Sequence, residues 1–137
     1  MSSTHAYGIT GFGGYIPRLR MERSAIAAAH KWMAPWLRSA AKGRRAFCNW
    51  DEDALTMGVE AARDALNGKA AADMGKLVFA STTMPFADML NASVIAGALE
   101  LPKNLQALDI GQTQRAGTSA LLAALADGSR PALVVVS

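Results

Sequence analysis

The sequence predicts an α/β protein built on a mostly parallel sheet with helices on both faces. Two observations carry that prediction. Short, almost wholly apolar segments recur at KLVFAST (76–82), LQALDI (105–110) and ALVVVS (132–137). Between them lie longer stretches with helical character, each junction marked by Gly or Pro. Strands apolar on both sides need cover on both faces, and crossover helices between parallel strands supply it. With 137 residues, 51% hydrophobic and 18% charged, the chain suits one core and one compact unit over 1–137.

Taken in order, AYGITGF (6–12) mixes small, aromatic and β-branched residues and runs into Gly13 and Gly14, so it reads as a short strand and a tight turn, ended by Pro17. From Glu22 to about Lys31, ERSAIAAAHK reads as a helix. Pro35 and Gly43 interrupt WMAPWLRSAAKGRR (32–45), which reads as irregular. The best-defined helix starts near Asp51 and runs to about Leu66, with Leu55, Val59, Ala62 and Leu66 on one face. Asp51, Glu52 and Asp53 are placed in its first turn, at the positive end of the helix dipole, and Asn67-Gly68 closes it. A third helix is expected over 88–99, stopped by Pro102, and a fourth over GTSALLAALADG (117–128), ending at Gly128. ALVVVS is the clearest strand, and the sequence ends inside it; that ending reads as a fragment, a split subunit or a truncated chain.

The formal charge of +3 and a pI near 9.4 come largely from two clusters, Arg18/Arg20/Arg23 and Lys42/Arg44/Arg45. No basic face repeats along the chain, which argues against a nucleic-acid partner. Small anionic ligands suit the clusters, although solvated loop arginines are the plainer reading. Cys48 is the single cysteine, so the chain can form no internal disulfide and no cysteine-based zinc site, and a reducing cytoplasm is the expected home. The first residues lack a basic segment followed by an apolar run, and no stretch approaches the roughly 20 apolar residues of a membrane span. No membrane partner is expected.

Individual residues have plain readings. Cys48 lies in the lead-in to a helix and reads as a buried structural thiol. His5 and His30 have no carboxylate at an interpretable spacing. The acidic run 51–53 invites a hard cation, yet consecutive residues at a helix start splay around its axis, so dipole stabilisation is favoured and no metal is expected in this chain.

GITGFGGYIPRLRM (8–21), NWDEDALTMGVEAARDAL (49–66), FASTTMPFAD (79–88) and DIGQTQRAGTSAL (109–121) together resemble the amino-terminal half of the thiolase superfamily, in particular the hydroxymethylglutaryl-CoA synthases and ketoacyl synthase III. The resemblance covers essentially the whole chain. It implies a thiolase-like layered fold, incomplete at the carboxyl end, with an acyl-CoA as substrate. In that family a cysteine sits at the elbow between a buried strand and a buried helix, where the helix amino terminus favours the thiolate and backbone amides hold the thioester oxyanion. Matching Asp109 and Ala116-Gly117-Thr118 puts Gln114 at that position, and a primary amide is no nucleophile at neutral pH. Thr82 stands where the synthases carry a glutamate acid/base; ketoacyl synthase III relatives often have threonine there. The family's histidine and further acid/base groups lie in a half that this sequence does not contain.

The resemblance also bears on Trp32, Trp36 and Trp50, which flank KGRR (42–45). Aromatic faces beside arginines can hold an adenine and its phosphates, and Arg44, Arg45 and Trp50 are the candidate coenzyme A contacts. Indoles packing an irregular loop against the core is the competing reading. The implied function is an acyl-CoA-handling subunit without a cysteine nucleophile. It would work by decarboxylation, by C–C bond cleavage or formation without an acyl-enzyme, or as the non-catalytic half of a heterodimer. A structural scaffold with no acyl-CoA chemistry is the alternative. Expected partners are an acyl-CoA, a second thiolase-like subunit in a homodimer or heterodimer, and a zinc-ribbon and oligonucleotide-fold protein of the kind that accompanies related synthases.

Overall fold

The computed structural model describes residues 7–67 and 71–137; His5 and Gly68 lie outside them. The described residues form two compact units. One is Ile16–Glu52, and the other is Asp53–Ser137 with the described part of Met1–Tyr15.

In the smaller unit, β1 (Leu19–Glu22) pairs antiparallel with β2 (Arg44–Phe47), Leu19 standing opposite Phe47 and Glu22 opposite Arg44. Between them run α1 (Arg23–Ala29) and a 3-10 helix, Pro35–Ala40, which starts on its proline. The stretch 32–45 is therefore not irregular throughout. The ribbon escaped the sequence reading because LRME (19–22) and RRAF (44–47) carry charges and are too short to show the apolar alternation that marks a half-buried strand. Cross-strand pairing of Glu22 with Arg44, at 2.6 Å, supplies what hydrophobic pattern does not. Trp32, Trp36 and Trp50 are 83%, 69% and 92% exposed, which overturns the reading that they pack a loop against the core. Cys48 is likewise exposed rather than buried.

The larger unit begins with α2 (Ala54–Leu66). Asp53 is its N-cap: the carboxylate accepts from the Thr56 amide at 2.7 Å, and the Thr56 hydroxyl accepts from the Asp53 amide at 2.8 Å. Asp51 and Glu52 precede the helix, so the expected acidic first turn becomes a capping box formed by one acid. Three parallel strands follow, β3 (Lys76–Ala80), β4 (Gln106–Ile110) and β5 (Ala132–Val136), joined by α3 (Asn91–Ala98) and α4 (Ala116–Asp127). Their order is β4-β3-β5, with Lys76 level with Gln106 on one side and Ala132 on the other.

Side chains alternate across the sheet. Leu77, Phe79, Leu133 and Val135 pack on one face with Leu55, Val59 and Ala62 of α2 and Ala92 and Ile95 of α3. Val78, Ala80, Ile110 and Val134 pack on the other with Ala116 and Ala120 of α4. The sheet is covered on both faces, as its apolar strands require. Residues 7–12, expected as a strand, adopt no strand; Gly8 and Gly11 offer no side chain to a ladder. The segment is held instead by close approach at Gly13, where a Cβ would stand 2.2 Å from the Ala65 amide nitrogen, and by the Gly14 amide donating to Asp64 at 2.9 Å. Among the described residues no helix is long and apolar enough to cross a membrane.

Candidate functional site

The carboxyl ends of three parallel strands meet at one rim. The Ser81 amide donates to the Ile110 carbonyl at 3.2 Å and the Ser137 amide to the Ala80 carbonyl at 3.0 Å, extending both ladders to the sheet's edge. Beyond them the chain turns out in separate loops, leaving a cleft of about 280 Å³ lined by Ala80, Ser81, Thr82, Thr113, Gln114, Ala116, Gly117, Val136 and Ser137. Crevices at the carboxyl ends of parallel strands are the general ligand position of α/β sheets.

Thr82 reaches the cleft through a turn that its neighbours build. Ser81 is buried, and its hydroxyl accepts from the Thr83 amide at 3.0 Å. That bond folds the chain back directly after β3 and leaves Thr82 exposed at the rim. Gln114 reaches it through the elbow between β4 and α4. Gln112 takes a left-handed conformation with φ +61°, a strained choice for a residue with a Cβ. The Ala116 amide then donates to the Thr113 carbonyl at 3.0 Å, and the Arg115 amide reaches the Thr113 hydroxyl at 3.3 Å. Gly117 permits the first turn of α4 to lie against β5, since a Cβ there would be 2.8 Å from Val136 Cγ1.

The structure thus brings Thr82 and Gln114 to one cleft, beside a helix amino terminus whose first amides have no carbonyl partner within the helix. The residues lining it offer hydroxyls, a primary amide and backbone groups. None of their side chains is a thiol, imidazole, amine or carboxylate. Such a set can orient and polarise a carbonyl by hydrogen bonding; it contains no side chain that ionises near neutral pH to serve as nucleophile or base. Ser81, Thr113 and Ser137 were not singled out from the sequence, where nothing local marks them.

Arg44, Arg45 and Trp50 belong to the smaller unit. Adjacent strand residues point to opposite faces: Arg44 is ion-paired with Glu22, whereas Arg45 lines a groove together with Arg23.

The parallel sheet with a strand-turn-helix elbow at its carboxyl rim is an α/β arrangement, comparison with solved structures shows that it is thiolase-like, and the resemblance to the thiolase superfamily holds in sequence as well. Over 122 residues the chain is 35% identical to the hydroxymethylglutaryl-CoA synthase of Pyrococcus furiosus, covering 86% of this chain and 33% of that protein. The same enzyme from Aeropyrum pernix is 33% identical over 121 residues, again covering 86% of this chain and 33% of the relative. The chain spans about a third of the length of the curated relatives it matches. No family model matches it. Among solved structures, OleA of Xanthomonas campestris shares the fold with a TM-score of 0.78 at 19% identity, covering 93% of this chain and 42% of that one. The 3-oxoacyl-(acyl carrier protein) synthase III of Xanthomonas oryzae does so with a TM-score of 0.79 at 21% identity and the same coverages. One OleA structure contains bound lauric acid and lauroyl-CoA.

Proposed function

We propose that the chain handles acyl-CoA thioesters as part of a thiolase-type assembly and does so without an acyl-enzyme. The observation that carries this reading is the placement of Gln114 at the elbow, in a cleft whose lining includes no thiol. A thioester carbonyl seated there would accept hydrogen bonds from the Gln114 amide, the Thr82 hydroxyl and the Gly117 amide in the first turn of α4, which stabilise a developing enolate or alkoxide. That chemistry serves decarboxylation or C–C bond cleavage and formation, with acid/base groups supplied from outside the described residues. Arg45, Arg44 and Trp50 are the proposed contacts for the coenzyme A phosphates and adenine, by charge-assisted hydrogen bonds and stacking.

Incubation with acetyl-CoA should leave the intact mass unchanged. In an assembly competent for turnover, Gln114→Ala should lower the rate by about a hundredfold, the loss expected for one oxyanion donor. Replacing both Arg44 and Arg45 by alanine should weaken coenzyme A binding and flatten its salt dependence. A covalent acyl adduct on wild-type Cys48 would overturn the reading, because the nucleophile would then have moved rather than vanished.

A second reading, a non-catalytic or scaffold subunit, draws on surface apolarity. Leu122 and Val136 are 62% and 58% exposed, and β5 pairs on one side only among the described residues. An open apolar edge favours association, with a second thiolase-like subunit or with a zinc-ribbon and oligonucleotide-fold partner. Gln114→Ala without effect on the activity of such an assembly would favour this reading over the first.

A further inference from the structure

The smaller unit holds a groove of about 260 Å³ between α1, the 3-10 helix and β2. Its wall is made by Ile26, Ala27, Leu37 and Ala40, and two guanidinium groups, Arg23 and Arg45, complete the lining. Both are exposed, and neither is among the ion pairs of the described residues, which are Arg44–Glu22, Arg63–Glu60 and Lys76–Asp127. Glu22 is the acid nearest in sequence to Arg23, and it is engaged by Arg44 across the ribbon. The unit that carries the groove is strongly basic. Residues 16–52 hold eight lysines and arginines against three carboxylates, while the rest of the chain holds six against eight.

From this juxtaposition we infer that the groove binds an amphiphilic organic anion with a hydrocarbon body of medium chain length. The head, a carboxylate or a phosphate monoester, meets Arg23 and Arg45; the hydrocarbon lies along Ile26, Ala27, Leu37 and Ala40. Two features select this class. Apolar area alone would accept any hydrocarbon, but two cations without an ion-pair partner among the described residues repel an amine and gain nothing from an alcohol. A head without a body would leave the apolar wall in water. The volume suits a chain of several carbons rather than a folded segment of another protein. The inference uses neither Thr82 nor Gln114 and shares only Arg45 with the acyl-CoA reading, so Arg23→Gln, which touches no residue of that reading, separates the two. Its failure would show with octanoate, and failure of the other with coenzyme A.

The test is calorimetric titration of the full chain with octanoate, octyl phosphate, octylamine and octanol. One or both anions should bind with one-to-one stoichiometry, more weakly as salt is raised, and the amine and alcohol should not. Arg23→Gln and Arg45→Gln should each weaken binding about tenfold or more, and the stronger of the two anions identifies the head group. Ala27→Leu, which keeps both cations and fills the groove, should abolish binding, with circular dichroism and melting temperature confirming the fold of each variant. Octylamine binding as tightly as octanoate would reduce the groove to a greasy patch and overturn the inference. So would unchanged affinity in both arginine variants, unchanged affinity in Ala27→Leu, or absence of anion binding because a second copy or a protein partner covers the groove.

Discussion

Gln114 and Thr82 stood out in the sequence because each sits in a short motif whose neighbours are distinctive, and both come to the same rim of the sheet. The residues that hold them there did not stand out. Ser81 is one serine among several, and only its burial and its bond to the Thr83 amide make it the organiser of the turn that displays Thr82. Gln112 offers no signal either, since asparagine, aspartate and glycine are the residues that announce a left-handed backbone. Its φ of +61° stores strain two residues before Gln114. Gln112→Gly should relieve it and stabilise the protein by about 1 kcal/mol, measured by urea denaturation. A loss of stability would show that the glutamine side chain holds the elbow by contacts that outweigh the strain.

At the scale of elements, the start of α3 depends on a residue from another strand. Asp109 of β4 accepts from the Asn91 amide at 2.7 Å, the Ala92 amide at 2.8 Å and the Asn91 side-chain amide at 3.0 Å, so it caps a helix eighteen residues before it in sequence. Asn91, fully buried, also exchanges bonds with the backbone of Phe86 at 3.1 and 2.9 Å, tying down the loop that follows Thr82. Asp109→Ala leaves the buried Asn91 and Ala92 backbone amides without this acceptor and should cost about 2 to 3 kcal/mol, against about 1 kcal/mol for Asp109→Asn, which retains one oxygen. Equal unfolding midpoints for the two variants would contradict this. By contrast, the α2 cap was within reach of sequence, because Asp53 and Thr56 are neighbours.

Lys76 at the start of β3 and Asp127 at the end of α4 supply a pH dependence. The Lys76 hydrogen bond, then that of Ser129, then the Lys76 charge hold the Asp127 carboxyl below its ordinary value of 3.8. A carboxyl whose pKa is lower in the folded state contributes stability that is present above the unfolded value and is lost as pH falls through the folded one. Because Asp127 lies at the surface, the contribution is small. In an NMR titration its resonance should move at a pH below 3.8, and Lys76→Met should bring that midpoint back up. A wild-type midpoint at or above the ordinary value would contradict the pairing.

For the whole molecule, the division of apolar burial between the units has consequences. Both core clusters lie in the larger one, whereas among residues 16–52 only Ala34 is a buried hydrophobic residue. A unit of that size without a core or an internal disulfide falls below what burial can stabilise on its own. A peptide of residues 16–52 should therefore show no cooperative thermal transition by circular dichroism, while the full chain should. Cooperative melting of the isolated peptide would mean that its ribbon and helices suffice. The basic charge concentrated in this unit was visible as two sequence clusters, but not the fact that β2 turns Arg44 and Arg45 to opposite faces.

What the sequence determined by itself is the set of elements governed by local physics. These are the apolar strands over 76–80, 106–110 and 132–136, the amphipathic face of α2 and the helix ending at Gly128; the position of Gln114 at the elbow came from the family resemblance instead. Periodicity, caps and breakers act within a few residues, so they can be read from neighbours. Only the tertiary structure decided the order β4-β3-β5, the pairing of 19–22 with 44–47, and the meeting of the chain at 81–82, 113–117 and 136–137 in one cleft. It also decided that 7–12 would not be a strand and that Asp109 would cap α3. These depend on backbone and carboxylate partners that lie 17 to more than 50 positions apart, and no local pattern encodes which of the available partners a hydrogen-bonding group will find.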